Sequence, residues 1–236
     1  MTKSDSFRGP APLHHTLLAG RRRTGITLQT LHPQHFDHGT ILAQTPYPGF
    51  EIPEPGNCTV RQLLGLVAPK GADMLVQGIR DRLYVPPLKE VGWFHGREDA
   101  QNLRRAPKVT SEDRHVDWNS WTAEDVLRRN RVIGPLWNMA TCRESSAPEK
   151  RIIWDSGFKA TAVTANPDLL PGVPFADGQS KEHNLLVGTC DGKILEIDNA
   201  KVEGEKSTRP WLAAGRAGMM SHWNEYPSGK FWDRLR

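Results

Sequence analysis

The sequence predicts an α/β segment followed by a small β-rich unit, a β-barrel of the OB type. Three observations predict it. Helical and strand periodicities alternate between Pro10 and Arg80. Residues 83–107 mix proline, glycine and charge with no period. Beyond them, short β-branched runs separated by Gly, Pro, Asn and Asp surround a single helix. The expected division is therefore residues 1–88, a linker over 89–107, and a second unit over 108–236. With 236 residues, 37% of them hydrophobic, and a mean hydropathy of −0.56, the composition is that of a soluble globular chain large enough for one large or two small domains.

Taken in order, "PAPLHHTLLAG" reads as a short helix begun through prolines and closed by Gly20, with Leu13, Leu17 and Leu18 on one side. "TGITLQTL" and "GTILAQTPY" are rich in β-branched residues and read as two strands around a polar loop. From Thr59, the positions Val60, Leu63, Leu64, Val67, Gly71, Met74, Leu75 and Ile79 recur at helical spacing, with Arg61, Gln62, Lys70 and Arg80 facing away. Pro69 is expected to kink or divide that helix, because an interior proline costs about 3 kcal/mol.

In the second unit, "VTSEDRHVDWNSWTAEDVLRRNRVI" predicts a strand running into a helix. Thr122 caps the helix, Asp125 reinforces the cap, and Val126 and Ile133 lie on its buried side. "RIIWDSGFKATAV", "NLLVGTCDGKILEI" and "NAKVEGEKS" read as short strands, and Asp191-Gly192 is the strongest hairpin signal in the chain.

The polar loop between the first two strands, "HPQHFDHG", holds His32, His35, Asp37 and His38 followed by Gly39. Pro33 and Gly39 keep it off a helix, so the histidines lack the fixed scaffold on which zinc ligands converge, and Cys58, Cys142 and Cys190 form no C-x-x-C pair. The spacing disfavours a metal and leaves solvated loop histidines or a single functional Asp37. The dispersed cysteines also argue against a disulfide scaffold and are compatible with a reducing compartment. No apolar run approaches the roughly 18 residues of a membrane span. "MTKSDSFRGPAPLHH" is neither a signal peptide nor an Arg-rich transit segment, so a targeting segment is expected to be missing. A net charge of +4 and a pI near 9.0 lean modestly toward a polyanionic partner. The basic clusters are Arg21 to Arg23, Arg104 and Arg105 with Lys108, and Arg128 and Arg129 with Arg131, each of which reads equally as a solvated face.

"SFRGPAPLHHTLLAG", "TGITLQTLHPQHFDHGTIL" and "VDWNSWTAEDVLRRNRVI" together resemble the methionyl-tRNA formyltransferase family, in the same order along nearly the whole chain. Arg8-Gly9-Pro10-Ala11-Pro12-Leu13 matches the family's R-G-A-A-P-I. Asp37 falls at its catalytic aspartate, with His38 and Thr40 in place of a Thr and a second Asp, and with Gly39 and Ile41-Leu42 retained. Val116-Asp117-Trp118 matches the I-D-W start of its C-terminal domain, and the segment from Cys142 to Asn184 is divergent.

The resemblance implies the C-terminal part of a Rossmann-like formyltransferase domain followed by an OB-like, tRNA-binding domain. It implies transfer of a formyl group from 10-formyltetrahydrofolate to the amine of initiator methionyl-tRNA, with no metal and no membrane, and it sets no oligomeric state. Asp37 would be catalytic, Arg8, Gly9 and Gly39 would contact substrate, and Arg128, Arg129 and Arg131 would contact tRNA. The family's Asn-x-His pair lies upstream of R-G-A-A-P-I, and Met1 stands only seven residues before Arg8. The pair and the first half of the nucleotide fold are thus expected to be missing and the chain inactive alone. Its divergence suggests an organellar enzyme of a eukaryote, in the mitochondrial matrix. The alternatives are another folate-dependent formyltransferase or formyl-folate hydrolase, and a non-catalytic tRNA-binding remnant.

Overall fold

The computed structural model describes residues 7–34, 38–92, 104–140, 149–155, 157–161, 171–176 and 185–216. The chain divides into two compact units, Met1–Val109 and Thr110–Arg236.

In the first unit, β1 (Phe7–Arg8) leads into α1 (Pro12–Leu18), which has proline at its start. Gly20, at φ +62°, closes it. Thr16 and Leu17 form its buried side. The run read as one strand from Thr24 is two: β2 (Arg23–Thr24) pairs with β5 (Phe50–Glu51), and β3 (Thr27–Gln29) pairs with β4 (Ile41–Gln44), both antiparallel.

Next comes α2 (Val60–Arg80), held at its start by reciprocal bonds. The Gln62 N–H donates to Thr59 Oγ1 at 3.2 Å, and the Thr59 N–H donates to Gln62 Oε1 at 2.8 Å. Pro69 does not divide this helix. Pro69 and Gly65, whose carbonyl loses its helical donor, are both exposed, so the missing bond falls on the solvent side of the helix and costs little. The buried face is narrower than the periodicity predicts. Leu63 is fully buried, whereas Leu64, Leu75 and Ile79, expected in the core, are about half exposed at 50%, 49% and 54%. Gly78 is buried instead: a Cβ there would meet Leu28 Cδ2 at 2.6 Å, so the helix approaches β3 through a glycine.

Both described ends of the stretch read as linker are built into the first unit. The Val91 N–H donates to the Ile41 carbonyl at 3.0 Å, β6 (Arg104–Arg105) pairs parallel with β1, and Ala106 is fully buried.

The second unit opens on a 3₁₀ turn, Glu112–Arg114, where a strand was expected. The Thr110 N–H and hydroxyl both donate to Asp113 Oδ2, at 2.7 and 3.0 Å, which curls the backbone before it can extend. Next, α3 (Ala123–Ile133) carries the expected cap, with the Asp125 N–H on Thr122 Oγ1 and the Thr122 N–H on Asp125 Oδ2, each at 3.2 Å. Val126 and Ile133 are buried as read.

The strands are β7 (Leu136–Ala140), β8 (Lys150–Trp154), β9 (Phe158–Ala160), β10 (Pro174–Ala176), β11 (Leu185–Gly188), β12 (Ile194–Ile197) and β13 (Lys201–Val202), followed by α4 (Pro210–Arg216). They form two antiparallel sheets, in the orders β10-β11-β12-β9 and β13-β8-β7, with no closed barrel among the described residues. Asp191-Gly192 turns β11 into β12, with Gly192 at φ +74° and its N–H on the Thr189 carbonyl at 3.0 Å. Leu136, Ile152, Trp154, Val187, Leu195 and Ile197 fill the core of this unit.

Candidate functional site

The β3–β4 hairpin sets the place of the histidine-rich loop. Thr30 and Thr40 close its mouth: the Thr30 N–H donates to the Thr40 carbonyl, and the Thr40 N–H donates to Thr30 Oγ1, both at 2.9 Å. Gly39 is required there by close approach, because a Cβ would collide with the Thr30 carbonyl oxygen. His32 and His38 face each other with ring centroids 6.3 Å apart, and His32 Nδ1 accepts the Gln34 N–H at 3.2 Å. His35 and Asp37 lie outside the described residues. Among the described residues no three His, Cys, Asp or Glu side chains converge on one point.

Arg8 and Gly9 sit where β1 turns into α1. The Ala106 N–H donates to the Arg8 carbonyl at 2.7 Å and the Ala11 N–H to the Ala106 carbonyl at 3.1 Å, clamping both sides of the turn. Gly9 adopts φ +135°, and a Cβ on it would stand 2.5 Å from the Ala106 oxygen, so side-chain-bearing residues are excluded on two counts.

In the second unit the three candidate arginines share α3, but each meets different surroundings. Arg128 is drawn to Glu124 and Asp125, one turn back on its own helix. The Arg129 guanidinium stacks over the Trp121 ring at 4.1 Å. Arg131 is half-buried in the last turn. Other cations of this unit are also held locally: Arg151 by Glu203 and the Trp137 face, Lys159 by Asp198, and Lys201 by Asp155.

Two polar nodes that residue spacing does not reveal organise this unit. Asn138 is fully buried in β7, and its Oδ1 accepts the indole N–H of Trp118 at 3.1 Å and of Trp154 at 2.9 Å. Its Nδ2 donates to the Val116 carbonyl at 2.9 Å, so the V-D-W segment is tied to two strands through one amide. Asp191, at the tip of the β11–β12 hairpin, accepts the Ala123 N–H at 3.0 Å and the Thr189 hydroxyl at 2.6 Å, with Lys193 Nζ at 3.2 Å. Burial pushes its carboxyl up, but the Thr189 hydroxyl, the Ala123 N–H and Lys193 outweigh that and hold it at about 2. The Ser120 hydroxyl, against burial and with help from the Asn119 N–H, likewise lowers Asp117.

The fold is a mixed α/β arrangement. It superposes on HypX from Aquifex aeolicus, crystallised with tetrahydrofolic acid, with a TM-score of 0.51 at 17% identity, over 90% of this chain and 34% of that one. A HypX variant gives a TM-score of 0.50 at 15% identity over 91% of this chain and 35% of that one.

By sequence the chain is homologous, over most of its length, to the methionyl-tRNA formyltransferases. It is 31% identical over 208 residues to the mitochondrial enzyme of Saccharomyces cerevisiae, covering 80% of this chain and 50% of that protein. Against the human mitochondrial enzyme it is 30% identical over 195 residues, covering 80% of this chain and 46% of that one. With the methionyl-tRNA formyltransferase of Halalkalibacterium halodurans the identity is 28% over 200 residues, 85% of this chain and 56% of that one. The chain thus spans about half the length of the curated relatives it matches. No family model matches it.

Proposed function

We propose that this chain serves methionyl-tRNA formylation, the transfer of a formyl group from 10-formyltetrahydrofolate to the amine of initiator methionyl-tRNA. The observation that carries the reading is the hairpin whose mouth is fixed by Thr30, Gly39 and Thr40, coinciding with the segment matched to the family's catalytic aspartate. In that reaction a neutral amine attacks the formyl carbon, negative charge develops on the formyl oxygen, and the C–N10 bond of the donor then breaks, a carboxylate–imidazole pair passing the amine proton to N10 of the departing tetrahydrofolate. Asp37 orients the imidazole and stabilises its charged form, while Arg8, Gly9 and Gly39 shape the substrate-facing backbone. The second unit, as an OB-type module, contacts tRNA phosphates through Arg129 and Arg131. Arg128 contributes less than Arg129, because a phosphate must first displace Glu124 and Asp125. The folate donor is supported by the fold shared with HypX, whose structure holds tetrahydrofolic acid. The mitochondrial names of the yeast and human relatives support a matrix location.

No Asn-x-His occurs anywhere in the 236 residues, so the chain alone is expected to bind tRNA without formylating it. The decisive experiment supplies that pair by fusing the upstream part of the yeast mitochondrial relative to this chain. In the fusion, Asp37→Asn is expected to lower turnover by about 10²–10⁴-fold with tRNA affinity unchanged. Near-normal turnover of the variant would remove Asp37 from the mechanism. Absence of tRNA binding by the parent would favour a formyltransferase or hydrolase acting on a small substrate.

A further inference from the structure

We propose that Arg8 and Arg105 form a two-pronged oxyanion site within the first unit and that its ligand is an RNA phosphate. The inference rests on the tRNA reading above for the source of that phosphate, but the site itself rests on strand register. β1 and β6 are parallel, with Arg8 opposite Arg105 and Phe7 opposite Arg104. Residues directly opposite each other present their side chains on the same face of a strand pair, so Arg8 and Arg105 share one face while Arg104 takes the other. Like charges in that relation are destabilising unless something offsets them. Among the described residues no carboxylate pairs with either. By contrast, Arg23 is paired with Glu51 at 2.6 Å and Arg151 with Glu203 at 3.0 Å.

The backbone holds the two arginines side by side at their Cα positions. The Ala106 N–H on the Arg8 carbonyl, the Ala11 N–H on the Ala106 carbonyl, and Gly9 pressed onto the Ala106 oxygen pin both strands at the residues flanking the pair. Arg105 is exposed and Arg8 half-buried, so the pair opens to solvent from a rigid base. Guanidinium groups are planar forks that bind phosphate oxygens through two parallel N–H bonds, and they are less strongly hydrated than ammonium groups. A phosphate between them converts a repulsion into two charge-assisted contacts. Arg105, read from the sequence as part of a linker, thereby belongs to the substrate-facing side of the first unit together with the R-G turn.

The test uses the full chain and three variants: Arg105→Ala, Arg105→Lys, and Arg104→Ala as a control on the opposite face. Unfolding temperature is read in inorganic phosphate and in chloride at equal ionic strength, and the affinity for initiator tRNA is read across a salt series. In chloride, Arg105→Ala is expected to be no less stable than the parent, because it relieves a repulsion. Phosphate is expected to raise the unfolding temperature of the parent and of Arg104→Ala, but not that of Arg105→Ala, with Arg105→Lys between them. The log–log salt slope for tRNA should fall by about 0.7–0.9 in Arg105→Ala and stay unchanged in Arg104→Ala. Identical phosphate responses in the parent and Arg105→Ala overturn the site. A lost phosphate response with an unchanged tRNA slope overturns the RNA source in favour of free phosphate. A parent that binds no tRNA at any salt, yet keeps its Arg105-dependent phosphate response, overturns the tRNA reading and the RNA source with it.

Discussion

Replacing Asn138 by alanine removes the acceptor of two indole N–H groups and the donor to one carbonyl, all inside the core of the second unit. Trp118, Trp154 and Val116 are themselves almost wholly buried, so water does not reach the groups left behind. A buried polar group stripped of its partner costs about 1–3 kcal/mol, and three such groups with partial relaxation give a loss of about 3–6 kcal/mol. Set against a typical domain stability of about 5–15 kcal/mol, this removes a large share of what holds the unit folded. Urea unfolding followed by tryptophan fluorescence reads it directly, because every tryptophan except Trp93 lies beyond Thr110. The exposed Asn119→Ala serves as the control and is expected to stay within about 0.5 kcal/mol of the parent. A loss below about 1 kcal/mol in Asn138→Ala would mean that the indoles find other acceptors and that the amide is not the organising group.

Two further predictions concern Asp191 and α2. Asp191 is held at about 2 in the folded chain, below an unfolded value of about 3.9, so its carboxylate stabilises the fold above about pH 4, and that contribution is lost as the pH falls toward 2. Asp191→Asn is therefore expected to lower the unfolding temperature at pH 6 and to flatten its decline between pH 4 and 2. Parallel curves for parent and variant would show that the hairpin tip does not report on Asp191. On α2, Leu63→Ala should cost about 2–5 kcal/mol and Leu75→Ala less than about 0.5, since the first is fully buried and the second half exposed. Equal losses in denaturant unfolding would place Leu75 in a buried face.

What was legible in the sequence was local. The proline start and glycine stop of α1, the Thr122 cap, and the Asp191-Gly192 turn each depend on residues within four positions of one another, and each stands where its residues imply. The partners of Arg128 were equally local, since Glu124 and Asp125 precede it at helical spacing, yet reading Arg128, Arg129 and Arg131 as one basic cluster passed over them. What was not legible depends on distant contacts. Gly78, not among the positions read as the buried face of α2, lies at its interface because Leu28 comes too close for a Cβ. Asn138 gives no periodic signal, because its value lies in two tryptophans 16 and 20 residues away. Arg105 looked like linker charge because its partner strand begins almost a hundred positions earlier.

Gly9 and Gly39 show why a glycine beside a candidate site carries more than a turn. Both flank segments matched to functional positions of the family, and both touch a backbone carbonyl through the missing Cβ, Gly9 on Ala106 and Gly39 on Thr30. At Gly9 the left-handed φ adds a second constraint, whereas Gly39 has no such backbone demand and is fixed by proximity alone. The two contacts act alike: each pins the chain immediately beside a polar residue, Arg8 in one case and His38 in the other. On the proposed reading, a site that holds an acceptor against a formyl donor gains most of its advantage from geometry fixed before substrate arrives, and misplacement by about 1 Å costs about 10²-fold in rate. Glycine in contact with a carbonyl achieves that fixity at the backbone, without drawing on the adjoining side chains.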